Sequence, residues 1–217
     1  MLTEMRRYAI KPGCMDQMHA RMSGLLMPLF KAHGIPKPLA IWETTEPAPV
    51  LTWMVQWSSF EERLDAWTRF APVFVAARLA EGTPEIVTRT TLTVISPWPD
   101  ASFGFSAPAT GCETAWHIQP QIGFGAAFMT GCKESAFDRF RAAGAIGVEA
   151  CNLLFGALPQ ALVLLRWPDA ATRTAGMAQI AELELQNPFP EALVGSGARF
   201  GDRGQWERLD RARYLEA

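Results

Sequence analysis

Hydrophobic positions change period along the chain in an ordered way. Met1 to Lys11 alternates, with Tyr8 and Ile10 on one face and Arg7, Ala9 and Lys11 on the other, which predicts a strand. Pro12-Gly13 ends it. From Cys14 to His33 the apolar residues Met15, Met18, Met22, Leu25, Leu26, Leu29 and Phe30 recur at steps of three and four, which predicts a helix. Pro28 is expected to kink it, and Gly34 to cap its C-terminus, with Lys31 and His33 at the negative end of the dipole. Leu39–Thr44 and Val50–Trp57 read as strands, the second apolar on both faces and so central. Ser59 and Glu62 have capping-box spacing, and the helix they open shows Phe60, Leu64, Trp67, Phe70, Ala71 and Phe74 on one side. Gly82 ends it, and Glu85–Ser96 is a β-branched strand.

The order βαββαβ predicts a four-stranded antiparallel sheet with two helices on one face. Its bare face needs a cover. The second half of the chain supplies one. Trp116-His117-Ile118-Gln119-Pro120 echoes Tyr8-Ala9-Ile10-Lys11-Pro12 at an offset of 108, and from Gly13 onward the offset becomes 110. Gly13/Gly123, Phe30/Phe140, Gly34/Gly144, Pro49/Pro159, Trp57/Trp167 and Arg63/Arg173 all keep it, the signature of an internal duplication. The expected fold is therefore α+β: two tandem ferredoxin-like βαββαβ repeats packed sheet to sheet as a pseudo-dimeric α/β barrel.

The Pro-, Gly-, Ser- and Ala-rich stretch that begins at Pro97 separates the repeats, which are placed at 1–100 and 112–217 with a linker at 101–111. In the second repeat Gly125 and Gly131 argue for a short first helix, from about Lys133 to Ala143. Its second helix starts at the cap Asp169 and runs to about Leu185, and its last strand is placed at Trp206–Leu215.

Composition narrows the function. The chain has 217 residues, 49% apolar and 19% charged, so its surface carries little charge and leaves apolar area for a second repeat, a partner chain or a ligand to cover. The 20 basic and 22 acidic residues form no basic run, which argues against nucleic acid and anionic membranes as partners. Neither a secretory h-region nor a membrane-length apolar run is present, and the four cysteines show no C-x-x-C spacing. The expected setting is cytoplasmic, with reduced thiols.

Glu4-Met5-Arg6-Arg7-Tyr8-Ala9-Ile10-Lys11-Pro12-Gly13 resembles the opening E-x-R-x-Y-x-x-K-P-G of NIPSNAP-like proteins. Trp57 followed by Ser59-Phe60-Glu61-Glu62-Arg63 resembles that family's W-x-S-hydrophobic-x-x-R segment, and Trp42 stands where the family tends to have a tryptophan. The match covers most of residues 1–100 and, more faintly, 113–185. In the third strand, where the family tends to carry an Asn and a His, this chain has Leu51 and Val55. The resemblance implies a dimeric α/β barrel fold, which hosts cofactor-free monooxygenases, haem-binding enzymes and isomerases. The NIPSNAP-like group itself has no settled activity.

The candidate site residues are few. Tyr8, Trp42, Trp53 and Trp116 are the expected ligand-binding aromatics, able to wall a pocket for a flat apolar molecule or simply to fill a core. His117, in a strand, is the expected catalytic group if there is one; a hydrogen-bonded histidine in the sheet is the plainer alternative. Asp16 and His19 lack further ligands, so no metal is expected, and no cofactor. Arg63 and Arg173, set against the helix dipole, call for a carboxylate or backbone carbonyls as partners. No Walker loop, G-x-S-x-G elbow or H-E-x-x-H motif occurs. The expected function is binding of a small apolar or aromatic ligand, extending to cofactor-independent oxygenation or isomerisation. The competing expectation is a non-catalytic interaction module, and either is compatible with a homodimer.

Overall fold

A computed structural model describes residues 2–98, 112–120, 123, 125–154, 160–186 and 205–212. In the first repeat, strand β1 is Leu2–Ile10, and helices α1 (Met15–Arg21) and α2 (Met27–His33) flank a π-helical turn, Met22–Leu26. Strands β2 (Ala40–Thr44) and β3 (Val50–Trp57), helix α3 (Phe60–Glu81) and strand β4 (Val87–Pro97) follow. The second repeat has β5 (Cys112–Ile118), α4 (Gly125–Gly131), a π-helical turn at Cys132–Ala136 and α5 (Phe137–Ala142). It continues with β6 (Gly147–Leu153), β7 (Gln160–Trp167), α6 (Ala170–Gln186) and β8 (Gln205–Arg211). The fold is α+β, two βαββαβ repeats in tandem. Within the sheet the first repeat contributes the strands β1, β2, β3 and β4, and the second β5, β6, β7 and β8. Each repeat has the ferredoxin-like order: β4-β1-β3-β2, then β8-β5-β7-β6.

By its contacts the chain divides into unit 1, Met1–Val94 with Arg211–Ala217, and unit 2, Ile95–Asp210. In unit 1 the Ala212 N–H donates to the Ile41 carbonyl (2.9 Å). In unit 2, Ile95–Pro97 of β4 pairs with Leu153–Cys151 of β6. Sequence composition starts the linker region at Pro97, but Pro97 ends β4, and Trp98 is buried with its Nε1–H donating to Asn152 Oδ1 (2.9 Å). The linker span 101–111 lies outside the described residues.

The register refines the duplication. Leu2 lies opposite Trp57, and Cys112 lies opposite Trp167, so the offset is already 110 in the first strand. The Pro12/Pro120 echo had suggested 108. His117 therefore corresponds to Arg7 rather than Ala9, and Trp116 corresponds to Arg6. A one-residue or two-residue string match cannot see this, because strand register is set by cross-strand pairing.

The first helix of each repeat holds a wide turn at the same place. Met27 N–H bonds back to Met22 O, and Phe137 N–H to Cys132 O, five residues rather than four. Position 138 is an aspartate where the first repeat has Pro28, so proline is not the cause. The geometry explains the turn. Met18, Met22, Leu26 and Phe30 are spaced by four and all are at most 4% exposed, as are Phe128, Cys132, Ala136 and Phe140. In a regular α-helix each step of four precesses by about 40°. The wider turn takes back part of that drift and keeps the four side chains on the sheet.

Other elements depart from the sequence reading for identifiable reasons. Helix α4 begins at Gly125 despite its glycines, because burial of Phe128 outweighs weak propensity. Ser59 caps α3 as expected, with the Glu62 N–H donating to its hydroxyl (3.1 Å), and the Glu62 carboxylate accepts chiefly from the Ser58 N–H (2.9 Å). Phe60 and Leu64 are more than half exposed, so α3 buries a narrower face, around Ala66 and Phe70. The last strand ends at Arg211, four residues before the expected Leu215, and residues 213–217 lie outside those described.

Candidate functional site

Strand β1 of unit 1 directs alternate side chains at the helices. Glu4 lies opposite Val55, Arg6 opposite Trp53 and Tyr8 opposite Leu51, so all three share the face on which Trp53, Phe30 and Trp67 pack. Glu4 is fully buried, and its carboxylate is shared: Arg6 Nε–H donates to one oxygen and Arg63 Nε–H to the other. The Arg6 guanidinium lies 3.7 Å from the centre of the Trp67 ring, a cation–π stack. Arg63 finds in Glu4 the carboxylate its position demands. In unit 2, Arg173 is paired with Asp210 (2.8 Å) and donates to the carbonyls of Glu113 (3.3 Å) and Leu209 (3.2 Å).

Beside this cluster, between sheet and helices of unit 1, is a cavity of about 460 Å³. Arg6 and Tyr8 of β1, Arg21 of α1, Phe30 of α2, Trp67, Phe70 and Phe74 of α3, and Glu85 line it. The wall is aromatic and continuous: Phe30 and Phe70 ring centres are 5.3 Å apart, as are those of the stacked pair Phe70 and Phe74. Arg21, 8% exposed, donates to Glu85 Oε1 (2.8 Å). That oxygen also accepts the N–H groups of Ile86 and Val87 (2.8 Å each). Burial alone would push the Glu85 carboxyl up, but these donors and the Arg21 charge overcome it and bring it down to about 2. Glu85 is thus an anchor for Arg21, not a base near neutral pH. Burial pushes the Tyr8 phenol up, opposed by the charge and hydrogen bond of Arg6. The Trp53 indole acts on the phenol in the same sense as Arg6, although its Nε1–H is outside hydrogen-bond geometry of any acceptor.

The expected site residues do not gather. Tyr8 lines the cavity. Trp53, fully buried, stands one layer behind it, stacked on Phe30 with ring centres 5.2 Å apart and 6.1 Å from the Tyr8 ring. Trp42, opposite Thr52, points to the other face of the sheet. Trp116 and His117 are in unit 2, on opposite faces of β5. Trp116 stacks on Trp206 (5.2 Å, 8° between planes) within the core of that unit. His117 Nε2 is 2.8 Å from Glu207 Oε2, on the face away from the helices. Among the described residues no three His, Cys, Asp or Glu side chains gather to hold a metal, and no helix is long and apolar enough to cross a membrane.

Sequence reasoning missed Arg6, Arg21, Trp67 and Glu85. A signal existed for the first: Glu4-x-Arg6-x-Tyr8 has the period of a strand, so its three polar groups must share a face. The repeat offers a second. At the offset of 110, Arg6, Tyr8 and Arg21 correspond to Trp116, Ile118 and Gly131. Unit 2 keeps the scaffold and replaces these three polar lining groups, with Trp116 at the position that Arg6 holds in unit 1.

No family model and no curated protein matches the chain. Solved structures do. A Fusobacterium nucleatum protein with a provisional monooxygenase assignment is 8% identical over 97% of this chain and 91% of its own, with a TM-score of 0.62. A protein described as anthrone oxidase-like is 12% identical over 97% of this chain and 91% of its own, with a TM-score of 0.57. An uncharacterised NIPSNAP-domain protein of Burkholderia xenovorans is 17% identical, covers 50% of this chain and 99% of its own, and gives a TM-score of 0.35. At these identities the likeness is one of fold, that of the dimeric α/β barrel proteins.

Proposed function

We propose that unit 1 binds a small, flat aromatic molecule in the cavity between β1, α1 and α3. One observation carries this: an aromatic-walled space of about 460 Å³ is furnished with a few convergent polar groups, Arg6, Arg21 and the Tyr8 hydroxyl. A two- or three-ring compound fits such a space. Its rings would stack on Trp67, Phe70 and Phe74, and its polar edge would face Arg6 and Tyr8.

The reaction that suits this lining is oxygenation of a substrate supplying its own electrons. An anthrone, deprotonated at its reactive carbon, passes electrons to dioxygen and forms a C–O bond there. Loss of water then leaves the quinone, so one anthrone and one dioxygen give one quinone and one water. The contribution of this chain would be to hold the ionised substrate by Arg6 and Tyr8 and to exclude bulk water. The functions assigned to the fold relatives, monooxygenase and anthrone oxidase-like, are in keeping with this reading.

Menadione, a neutral quinone, is expected to quench tryptophan fluorescence saturably, with one site per chain. Ala71→Phe, which fills the cavity mouth, is expected to abolish saturation. Linear, non-saturating quenching in both proteins would remove the binding reading. Oxygen uptake with anthrone, compared between wild type and Ala71→Phe, tests the chemistry separately. A second reading, a non-catalytic interaction module, draws on the exposed apolar residues Phe60, Leu64, Val75 and Leu79 of α3. It predicts self-association in sedimentation that Leu64→Lys and Leu79→Lys abolish.

A further inference from the structure

The charges beneath the cavity do not balance. Glu4 carries one negative charge, and its two oxygens are taken by two guanidiniums, Arg6 and Arg63. Both arginine side chains are only 15% exposed, and Glu4 is fully buried. Among the described residues neither arginine has another ion pair. The other pair at the cavity, Arg21 and Glu85, is neutral in itself, and Arg78, 3.6 Å from Glu85, is matched by its own partner Glu81. The region beside the aromatic wall is therefore left with an unmatched positive charge. A largely buried, unmatched charge is costly unless something completes it.

Arg6 is where that completion would occur. Of the three members of the cluster, Arg6 alone lines the cavity. Its Nε–H is committed to Glu4 and the guanidinium also acts on the Tyr8 phenol, which leaves its remaining N–H groups to engage a further acceptor. Stacking over Trp67 fixes the plane of the fork. Unit 2 supplies an internal comparison: the position of Arg6 is Trp116, and Arg173, equivalent to Arg63, has Asp210 as its partner.

We infer that the ligand of unit 1 is an aromatic anion, and that Arg6, held by Glu4 and backed by the charge of Arg63, selects it over a neutral molecule of the same shape. This rests on the cavity being a ligand site, and adds the charge class. A ring carrying a carboxylate or an ionised phenolic or enolic oxygen meets the requirement: the rings lie on the aromatic wall and the oxygen takes the fork.

Two isosteres test it, 1-naphthoate and 1-naphthamide, titrated by tryptophan fluorescence and by calorimetry at pH 7. Wild type is expected to prefer the naphthoate at least tenfold. Arg6→Met is expected to bring the preference to within twofold of unity while the naphthamide affinity changes less than threefold. Arg63→Met is the sharper variant. It touches nothing in the cavity, yet it removes the excess charge, and a several-fold drop in the preference is expected. Arg6→Lys, which keeps the charge and loses the fork, provides the check if Arg6→Met does not fold, and should retain part of the preference. Equal binding of both compounds by wild type overturns the charge assignment and leaves the cavity reading standing. Binding of neither overturns both. A naphthoate preference unchanged in both arginine variants also overturns the assignment.

Discussion

Gly176, inside α6, poses a test in which local and tertiary effects have opposite signs. A glycine in a helix interior is destabilising relative to alanine by about 1 kcal/mol. On that ground Gly176→Ala should stabilise the protein. The surroundings say otherwise. A Cβ at this position would lie 2.2 and 2.6 Å from two ring atoms of Trp167 and 2.6 Å from the backbone oxygen of Ala143. To recover an ordinary carbon–carbon separation of about 3.5 Å the ring would have to retreat by about 1.3 Å. Trp167 is fully buried, and its Nε1–H donates to Thr114 Oγ1 (3.0 Å), so retreat also strains a buried hydrogen bond. Overpacking costs about 1–3 kcal/mol, and disturbing a buried hydrogen bond about 1–3 kcal/mol more. Set against the propensity gain, the expected net loss is roughly 3 kcal/mol. Urea unfolding followed by far-UV circular dichroism gives the value. Ala66, the equivalent residue in unit 1, is also fully buried but already carries a methyl group, and Ala66→Gly should cost about 1 kcal/mol. If Gly176→Ala proves neutral or more stable than wild type, the close approach of α6 to Trp167 and Ala143 is refuted.

Two further outcomes follow from burial and charge. Cys132 and Cys151 are fully buried, and burial pushes the Cys132 thiol up to about 12 and the Cys151 thiol up likewise, while Cys14 and Cys112 are partly exposed. At pH 8, Ellman's reagent should therefore titrate no more than two thiols per native chain, and all four in denaturant; fast reaction of all four natively would contradict the packing. Glu85, brought down to about 2 from an ordinary 4.5, is a carboxyl stabilised in its charged form by folding. Its contribution is complete above about pH 4.5 and is lost as the pH falls toward 2. Because its side chain is 54% exposed, solvent screening keeps the effect small, on the order of 1 kcal/mol. The stability difference between wild type and Glu85→Gln should narrow across that window, and a difference that is flat from pH 6 to pH 2 would sink the assignment.

The two-repeat fold was legible because each element carries its own local signal. Period-two runs became strands, steps of three and four became helices, and glycines at positive φ, Gly34 and Gly144, end matching helices. Ser59 and Asp169 cap the helices their spacing announced, Asp169 by accepting the Thr172 N–H (2.7 Å). Such signals act over a few residues, so a linear reading contains them. Part of the site was legible in the same way: Tyr8, and, by strand period alone, Glu4 and Arg6 beside it.

What only the tertiary structure decided depends on groups far apart in the chain. The pairing of Glu4 with Arg63 joins residues 59 positions apart, and that of Arg21 with Glu85 joins residues 64 apart. Trp42, Trp53, Trp116 and His117 look alike as candidates in a linear sequence, and cross-strand register sends them to different faces and units. Gly125 and Gly131 could be helical only because Phe128 is buried against a sheet. Local sequence determined which elements form, since propensity, capping and periodicity are short-range. The cavity arose from packing between those elements, where two arginines converge on one buried carboxylate and leave a charge that no local pattern records.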